Sequence, residues 1–370
     1  VDRVFHAAGL TAAVRNADFL HVNTHGTAHV VEACARESRP PVLILISSIA
    51  ASGPGVRGQL KTESDPPNPI SNYGHSKRGG EVAAERHADR VPTTVLRPGI
   101  VFGPRDRLLL SAFQAVRSMR VHAVPGMRPP PLSLIYVSDL VALACRAADT
   151  GRRLPAAGNR VNGEGYYFAC APEYPDYSQL GRILREAVGR RRAPIVSFPE
   201  PVPWLIAGAQ ELAARLLGKP LPLSIDKIRE ALADSWACSA AAAARDLDFE
   251  PAQTLTEDLC ATAQWYLDHN LRPNVGEFRK ELLREEGLTV GRLDARYRGV
   301  DRQNAGEGYD FDPAMAAWNH AFAPAINEYI RNDLGFETDM QYYLFGPVRP
   351  WGQGGTYDTD RSAEQLRQAE

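Results

Sequence analysis

A continuous apolar stretch in the first third of the chain constrains the fold most strongly. Residues Pro41–Ile46 read Pro-Val-Leu-Ile-Leu-Ile, which is typical of a strand buried on both faces of a parallel sheet. Further strands are predicted at Val1–Gly9, Thr93–Leu96 and Tyr166–Ala169, with helical patterns between them, one of which is Leu108–Val124. Strands that alternate with helices predict βαβ units and a doubly wound parallel α/β sheet.

Composition and charge exclude several classes of protein. The chain has 370 residues, of which 44% are hydrophobic, and its formal net charge of −2 gives no basic footprint for nucleic acid. No apolar stretch approaches the roughly 18 residues that a membrane-spanning helix needs, so we expect no membrane partner. The five cysteines lack CxxC spacing, which predicts neither a disulfide framework nor a zinc site and favours a reducing, cytoplasmic location.

The central chemical signal is Tyr73, which precedes Lys77 by four residues. On a helix these two side chains lie on one face, about 6 Å apart. An ammonium group beside a phenol favours the phenolate, so we expect Lys77 to lower the pKa of Tyr73 towards neutrality. Such a tyrosine can exchange a proton with a carbinol or carbonyl oxygen. Ser48 follows the strand Pro41–Ile46 at the edge where open α/β sheets bind ligands, so its hydroxyl can hold the same oxygen.

Three further motifs accompany this group, namely Phe5-His6-Ala7-Ala8, Asn23 followed by Gly26-Thr27, and Arg97–Pro104. Together the motifs resemble the extended short-chain dehydrogenase/reductase family, the NAD-dependent epimerase/dehydratase group, over roughly residues 1–270. The resemblance implies a small-molecule substrate, such as a nucleotide sugar or a sterol-like compound, and NAD or NADP as cofactor. It implies catalysis by Ser48, Tyr73 and Lys77, substrate binding by Ser48 and Arg105, and cofactor binding by Ala7, Ala8, Asn23, Tyr73, Lys77, Pro98 and Val101.

Two departures from the family pattern matter. Ser48 is followed by Ile49-Ala50 where family dehydratases carry Asp-Glu, so an epimerase or a carbonyl/hydroxyl reductase is favoured. The family begins with a strand and a Gly-rich turn that binds pyrophosphate, and neither precedes Val1 in this sequence. We therefore expect a truncated Rossmann sheet with weakened cofactor binding, which leaves enzymatic activity uncertain. The alternative is a non-catalytic binding or scaffold protein, and a homodimer is a further expectation.

A second resemblance concerns the end of the chain. The segments Phe278–Gly299, Ala325–Leu334 and Val348–Trp351 resemble bacterial serine carboxypeptidases of the S10 family over about 273–370. That family needs a Gly-x-Ser-x-Gly elbow, which this segment lacks, so serine carboxypeptidase activity is the less favoured alternative. Two unrelated incomplete pieces suggest a fusion near Leu271.

Three histidines could indicate a metal site, and Asn23 has two possible roles. His21, His25 and His29 recur every four residues, but no carboxylate stands where a zincin-type site needs one, so no metal is predicted. Asn23 is interpreted either as a helix N-cap or as a residue that orients Lys77 through water.

The segment Pro203–Leu217 is rich in apolar residues and could lie on a membrane surface. Because Gln210, Glu211 and Arg215 interrupt it, we interpret it as an ordinary core helix. Three domains are predicted: a partial Rossmann dinucleotide-binding domain at 1–150, a small α-rich substrate-binding domain with a returning Rossmann strand at 151–270, and a mainly helical peptidase-like segment at 271–370.

Overall fold

The computed structural model describes residues 1–106, 108–156, 163–190, 193–217, 221 and 223–268. All of them belong to one compact unit, Val1–Pro273. The predicted boundary near Leu271 and the peptidase-like segment lie outside the described residues. The division of the first 270 residues into two domains stays a prediction.

The strands of the described residues are short. They are β1 (Arg3–His6), β2 (Val42–Ile46), β3 (Thr93–Pro98), β4 (Ile100–Phe102), β5 (His122–Pro125), β6 (Leu134–Tyr136), β7 (Tyr166–Ala169) and β8 (Ile195–Phe198). The main sheet is parallel throughout, with the order β1-β2-β3-β7. Two parallel pairs, β4 with β6 and β5 with β8, lie outside it.

Helices separate these strands along the chain. They are α1 (Asn16–Phe19), a π-helical turn (Leu20–His25), α2 (Gly26–Arg36), α3 (Ile49–Ser52), α4 (Asn72–Arg86), α5 (Leu108–Gln114), a second π-helical turn (Ala115–Met119), α6 (Val137–Thr150), α7 (Tyr177–Ala187), α8 (Pro201–Leu217), α9 (Ile225–Ala231), α10 (Ala241–Leu247) and α11 (Leu255–Asp268). The alternation confirms the predicted α/β class.

The core lies on both faces of the main sheet because β2 is apolar at every position. Leu43 and Leu45 pack with Val31 of α2 on one face. Ile44 packs with Leu143 of α6 on the other face. A strand covered by helices on both sides is therefore the physical reason for the uninterrupted apolar sequence.

The predicted helix Leu108–Val124 is only partly correct. Helical structure ends at Met119, and Arg120 adopts a left-handed backbone conformation with φ of 55°. The chain then forms β5, in which His122 is buried and its Nε2 lies 2.9 Å from the Tyr177 carbonyl oxygen. The sequence pattern therefore predicts a helix that is too long, because the left-handed conformation of Arg120 ends the helix before β5.

Candidate active site

Ser48 lies where β2 meets α3, at the carboxyl edge of the main sheet. Its backbone is extended and its Oγ accepts a hydrogen bond of 3.1 Å from the Ala50 N–H, so it caps α3. The preceding Ser47 donates from Oγ to Oε1 of Glu81 at 2.6 Å. The two serines that follow the apolar strand therefore have different partners.

The start of α4 positions Tyr73 over α3. Ser71 caps the helix, and its Oγ accepts from the Gly74 N–H at 2.9 Å. A Cβ at Gly74 would lie 2.4 Å from the Ala50 carbonyl oxygen, closer than any real carbon contact. Glycine after Tyr73 is therefore required for α4 to pack this closely on α3.

Tyr73 is half-buried, and its hydroxyl hydrogen-bonds the Ser48 side chain. Its ring centroid lies 6.1 Å from that of Phe19. Burial raises the pKa of Tyr73 to about 12, although the hydrogen bond with Ser48 opposes this rise. The expected lowering of the Tyr73 pKa towards neutrality is therefore wrong for this structure, because removal of the phenol from water outweighs the influences that favour the phenolate.

Lys77 lies one turn further along α4 and is buried. Its Nζ donates to the carbonyl oxygen of Ile46, the last residue of β2, at 2.8 Å. Burial lowers the pKa of Lys77 to about 8, while the carboxylate of Glu81 acts in the opposite direction. The ammonium group is thus held against the end of the strand that leads to Ser48.

The loop after β1 lies close to these groups. Asn23 is buried and holds this loop: its Oδ1 accepts from the Leu10 N–H at 2.7 Å, and its Nδ2 donates to the Leu10 carbonyl oxygen and to Ser76 Oγ, both at 2.9 Å. A Cβ at Gly9 would stand 3.0 Å from Asn23 Oδ1 and 3.2 Å from Lys77 Nζ. Asn23 lies inside the π-helical turn, so its interpretation as an N-cap is wrong.

The remaining predicted cofactor and substrate residues lie at other strand ends. Ala7 and Ala8 follow β1 and are exposed, while Pro98 ends β3 and is buried. Val101 is in β4, and Arg105 follows it in a turn with a positive φ of 69°. The structure brings Ser48, Tyr73 and Lys77 together, whereas the binding roles of these four residues and of Arg105 stay predictions.

Sequence reasoning missed a buried ionic cluster, here called the Glu81 cluster, which consists of Ser47, Arg78, Glu81 and Arg97. Glu81 is fully buried and receives two hydrogen bonds from Arg97, of 2.9 Å and 2.7 Å, while Arg78 donates at 3.1 Å. Arg97 lowers the pKa of the Glu81 carboxyl group and so keeps it ionised. The cluster joins α4 to the ends of β2 and β3. Arg97 near the end of the apolar strand β3 is a signal that sequence reasoning could have used, because a buried arginine needs a carboxylate partner.

A second missed contact fixes the start of α4 from outside. Glu230 of α9 accepts a hydrogen bond from Ser71 Oγ, and Asp226 accepts from the Asn72 N–H at 2.7 Å. Negative charge at a helix N-terminus is favourable. More than 150 residues separate these partners in sequence, so no local pattern could have indicated the contact.

Residues 1–162 match the family model described as NAD dependent epimerase/dehydratase family. The three groups gathered at the sheet edge therefore lie in the part of the chain that this family model matches.

The chain is similar to curated proteins that are named for lipid-like compounds. A 3beta-hydroxysteroid-dehydrogenase/decarboxylase isoform 2 of Arabidopsis thaliana is 27% identical over 246 residues, which cover 64% of this chain and 42% of the relative. A 4-hydroxy-2-methyl-3-oxo-4-farnesyl-3,4-dihydroquinoline-1-oxide ketoreductase of Stigmatella aurantiaca is 27% identical over 253 residues, which cover 62% of this chain and 72% of the relative. The chain thus spans less than half of the steroid dehydrogenase.

Solved structures confirm the Rossmann-like fold of the epimerase/dehydratase family. The UDP-glucose 4-epimerase of Thermotoga maritima has a TM-score of 0.56 and 20% identity, and the likeness covers 73% of this chain and 78% of the epimerase. Within the described residues, no group of three or more His, Cys, Asp or Glu side chains could hold a metal ion. No helix among them has the length and apolarity to cross a membrane.

Proposed function

We propose that this protein is an NAD(P)-dependent oxidoreductase that interconverts a hydroxyl and a carbonyl group on a small-molecule substrate. The observation that carries the proposal is the Tyr73 hydroxyl, which is hydrogen-bonded to Ser48 while Lys77 lies one turn away at the end of β2. The match of residues 1–162 to the epimerase/dehydratase family model supports the same chemistry.

The loop after β1 carries small side chains beside Lys77. Ala7 and Ala8 are exposed, and Gly9 lies so close to Lys77 that a Cβ at Gly9 would stand 3.2 Å from Lys77 Nζ. When bound, the nicotinamide would supply or accept the hydride. The residues that we propose to hold it are Ala7, Ala8, Asn23, Tyr73, Lys77, Pro98 and Val101.

The protonation state of Tyr73 favours reduction at neutral pH. With a pKa raised to about 12, the phenol is protonated and can donate its proton to an alkoxide oxygen as that charge develops. Ser48 hydrogen-bonds the phenol and can donate to the same oxygen. Oxidation needs the phenolate, so we expect the rate of oxidation to rise with pH and that of reduction to fall.

The substrate class that we propose is a lipid-like alcohol or ketone. Support comes from the relatives, which are named for a steroid and for a farnesyl quinoline. A nucleotide sugar is the alternative and serves as the comparison substrate in the test. The predicted weakening of cofactor binding, the choice of NAD or NADP and the homodimer also stay predictions.

The experiment is a steady-state assay of the full chain with NADH or NADPH, using a 3-ketosteroid and a UDP-sugar as probes. Tyr73→Phe should lower the reductive rate by about 10²–10⁴-fold because the proton donor is lost. Tyr174→Phe, at a partly buried tyrosine, is the control and should keep the wild-type rate. Calorimetric titration measures cofactor binding separately. Absence of both cofactor binding and turnover would indicate the non-catalytic alternative.

A further inference from the structure

The carboxyl group of Glu230, on α9, is held beside the start of α4. Its Oε1 accepts a hydrogen bond from Ser71 Oγ, two residues before Tyr73 in the sequence. The backbone of Glu230 is fixed as well, because its carbonyl oxygen accepts from the Trp236 indole N–H at 2.7 Å. The carboxyl group therefore has a defined place next to the helix that carries Tyr73.

Glu230 shares a recess with two tyrosines, Tyr73 near the start of α4 and Tyr177 at the start of α7. Burial and the negative charge of Glu230 raise the pKa values of both phenols to about 12. Burial also raises the pKa of Glu230, yet all three side chains keep partial solvent exposure. Groups that have lost most of their water but are still reachable line a narrow space. The combination indicates a recess beside the Tyr73 hydroxyl.

One oxygen of Glu230 is left for a ligand in this recess. Oε1 takes the hydrogen bond from Ser71, whereas Oε2 has no hydrogen-bond partner among the residues that the structure describes. In the same part of the chain, the fully buried side-chain atoms without a partner are Ser52 Oγ and Arg190 Nε. Oε2 is therefore both unpaired and open to the solvent side of the recess.

The charges around Glu230 determine what kind of group Oε2 can bind. Burial and the charge of Asp226 raise the pKa of Glu230, while the hydrogen bond from Ser71 acts against this rise. The positive charges of Lys227 and Arg229 oppose it too and favour the ionised carboxylate. Carboxylate oxygens accept hydrogen bonds and cannot donate them. The matching ligand group is therefore an O–H or N–H donor.

We propose that Glu230 is a specificity-determining residue that selects ketones with an O–H or N–H donor on a carbon next to the carbonyl. This inference rests on the proposed function, in which Tyr73 donates to the carbonyl oxygen. Because Glu230 acts on the Tyr73 phenol itself, the donor that meets Oε2 must lie close to that oxygen. An analogue without the donor is disfavoured, since the carboxylate then loses water without gaining a partner.

The test compares ketones that differ by one donor, using the full chain with NADH or NADPH. The probes are a 3-ketosteroid and its 2-hydroxy and 4-hydroxy derivatives, which place one hydroxyl beside the carbonyl. Wild type should have a kcat/KM about 10- to 100-fold higher for at least one hydroxy derivative than for the parent ketone. Glu230→Gln should lower this ratio about tenfold or more, because an amide N–H replaces the accepting Oε2 while the amide oxygen still accepts from Ser71.

Asp226→Asn is the matched control because it removes the same charge from the same helix. Asp226 Oδ2 already accepts from the Asn72 N–H at 2.7 Å and Oδ1 from Arg229 at 2.8 Å, so we expect the wild-type ratio. General damage to the fold lowers kcat/KM for every ketone and does not change the ratio. The comparison within wild type requires no variant, so it decides the matter even if Glu230→Gln folds poorly.

Two results would overturn the inference while the proposed function stands. One is equal kcat/KM of wild type for the parent ketone and both hydroxy derivatives. The other is a Glu230→Gln variant that keeps the wild-type ratio. Absence of turnover with all of these ketones and with the UDP-sugar would overturn the inference and the proposed function together.

Discussion

Helices α4 and α8 reverse the usual relation between polarity and burial. The polar helix α4 is buried along the face that carries Ser76, Lys77 and Glu81, whereas the apolar helix α8 exposes Leu205, Leu212 and Leu216. Buried charges are rare unless they are paired, and exposed apolar stripes are rare unless they have a partner. The first departure holds the candidate catalytic residues in place. The second shows that the interpretation of Pro203–Leu217 as an ordinary core helix is wrong, because its large apolar side chains are exposed.

The largest effect is expected when the Glu81 cluster is broken. Glu81→Leu leaves the buried guanidinium of Arg97 without a carboxylate, and we expect a loss of about 3–5 kcal/mol in the free energy of unfolding. Urea denaturation of the purified variant measures it. The double variant Glu81→Leu/Arg97→Met should recover most of the loss because no unpaired charge remains. A single-variant loss below about 1 kcal/mol would show that the cluster does not hold α4 in place.

The second effect concerns His6, which is buried close to Lys77. Burial, together with the positive charge of Lys77, lowers the pKa of His6 to about 4 from its ordinary 6.5, and its Nε2 is 3.0 Å from Thr27 Oγ1. As the pH falls below 6.5, the unfolded chain binds a proton that the folded protein does not bind. Stability is therefore complete above pH 6.5 and declines towards pH 4, by up to about 3 kcal/mol.

His6→Gln tests this dependence because glutamine can keep the hydrogen bond to Thr27 and does not titrate. Chemical denaturation at a series of pH values should show a smaller decline for the variant between pH 6.5 and pH 4. Above pH 7 the two proteins should have parallel profiles, which serves as the internal control. Identical slopes in the acidic range would contradict the buried neutral state of His6.

The sequence predicted the parts of this molecule that depend on local patterns. The apolar strand Val42–Ile46 and the pair Tyr73 and Lys77 required only periodicity and spacing, and the structure has them where they were expected. The raised pKa of Tyr73 could not be predicted because it depends on burial beneath distant elements. The outward face of α8 was also beyond prediction, since periodicity locates an apolar stripe but does not say whether the protein or another partner covers it.

The smallest effect on the free energy of unfolding is expected for a substitution on α8. It tests the difference between exposed and buried apolar positions. Leu212→Ala should change the free energy of unfolding by no more than about 0.5 kcal/mol, because its side chain already contacts solvent in the folded protein. Leu184→Ala makes the same replacement at a fully buried position of α7 and should cost about 2–5 kcal/mol. Urea denaturation of both variants in the absence of lipid provides the comparison. A loss at Leu212 similar to that at Leu184 would mean that the chain itself or a second copy covers the Leu212 side chain, which would contradict its exposure in the structure.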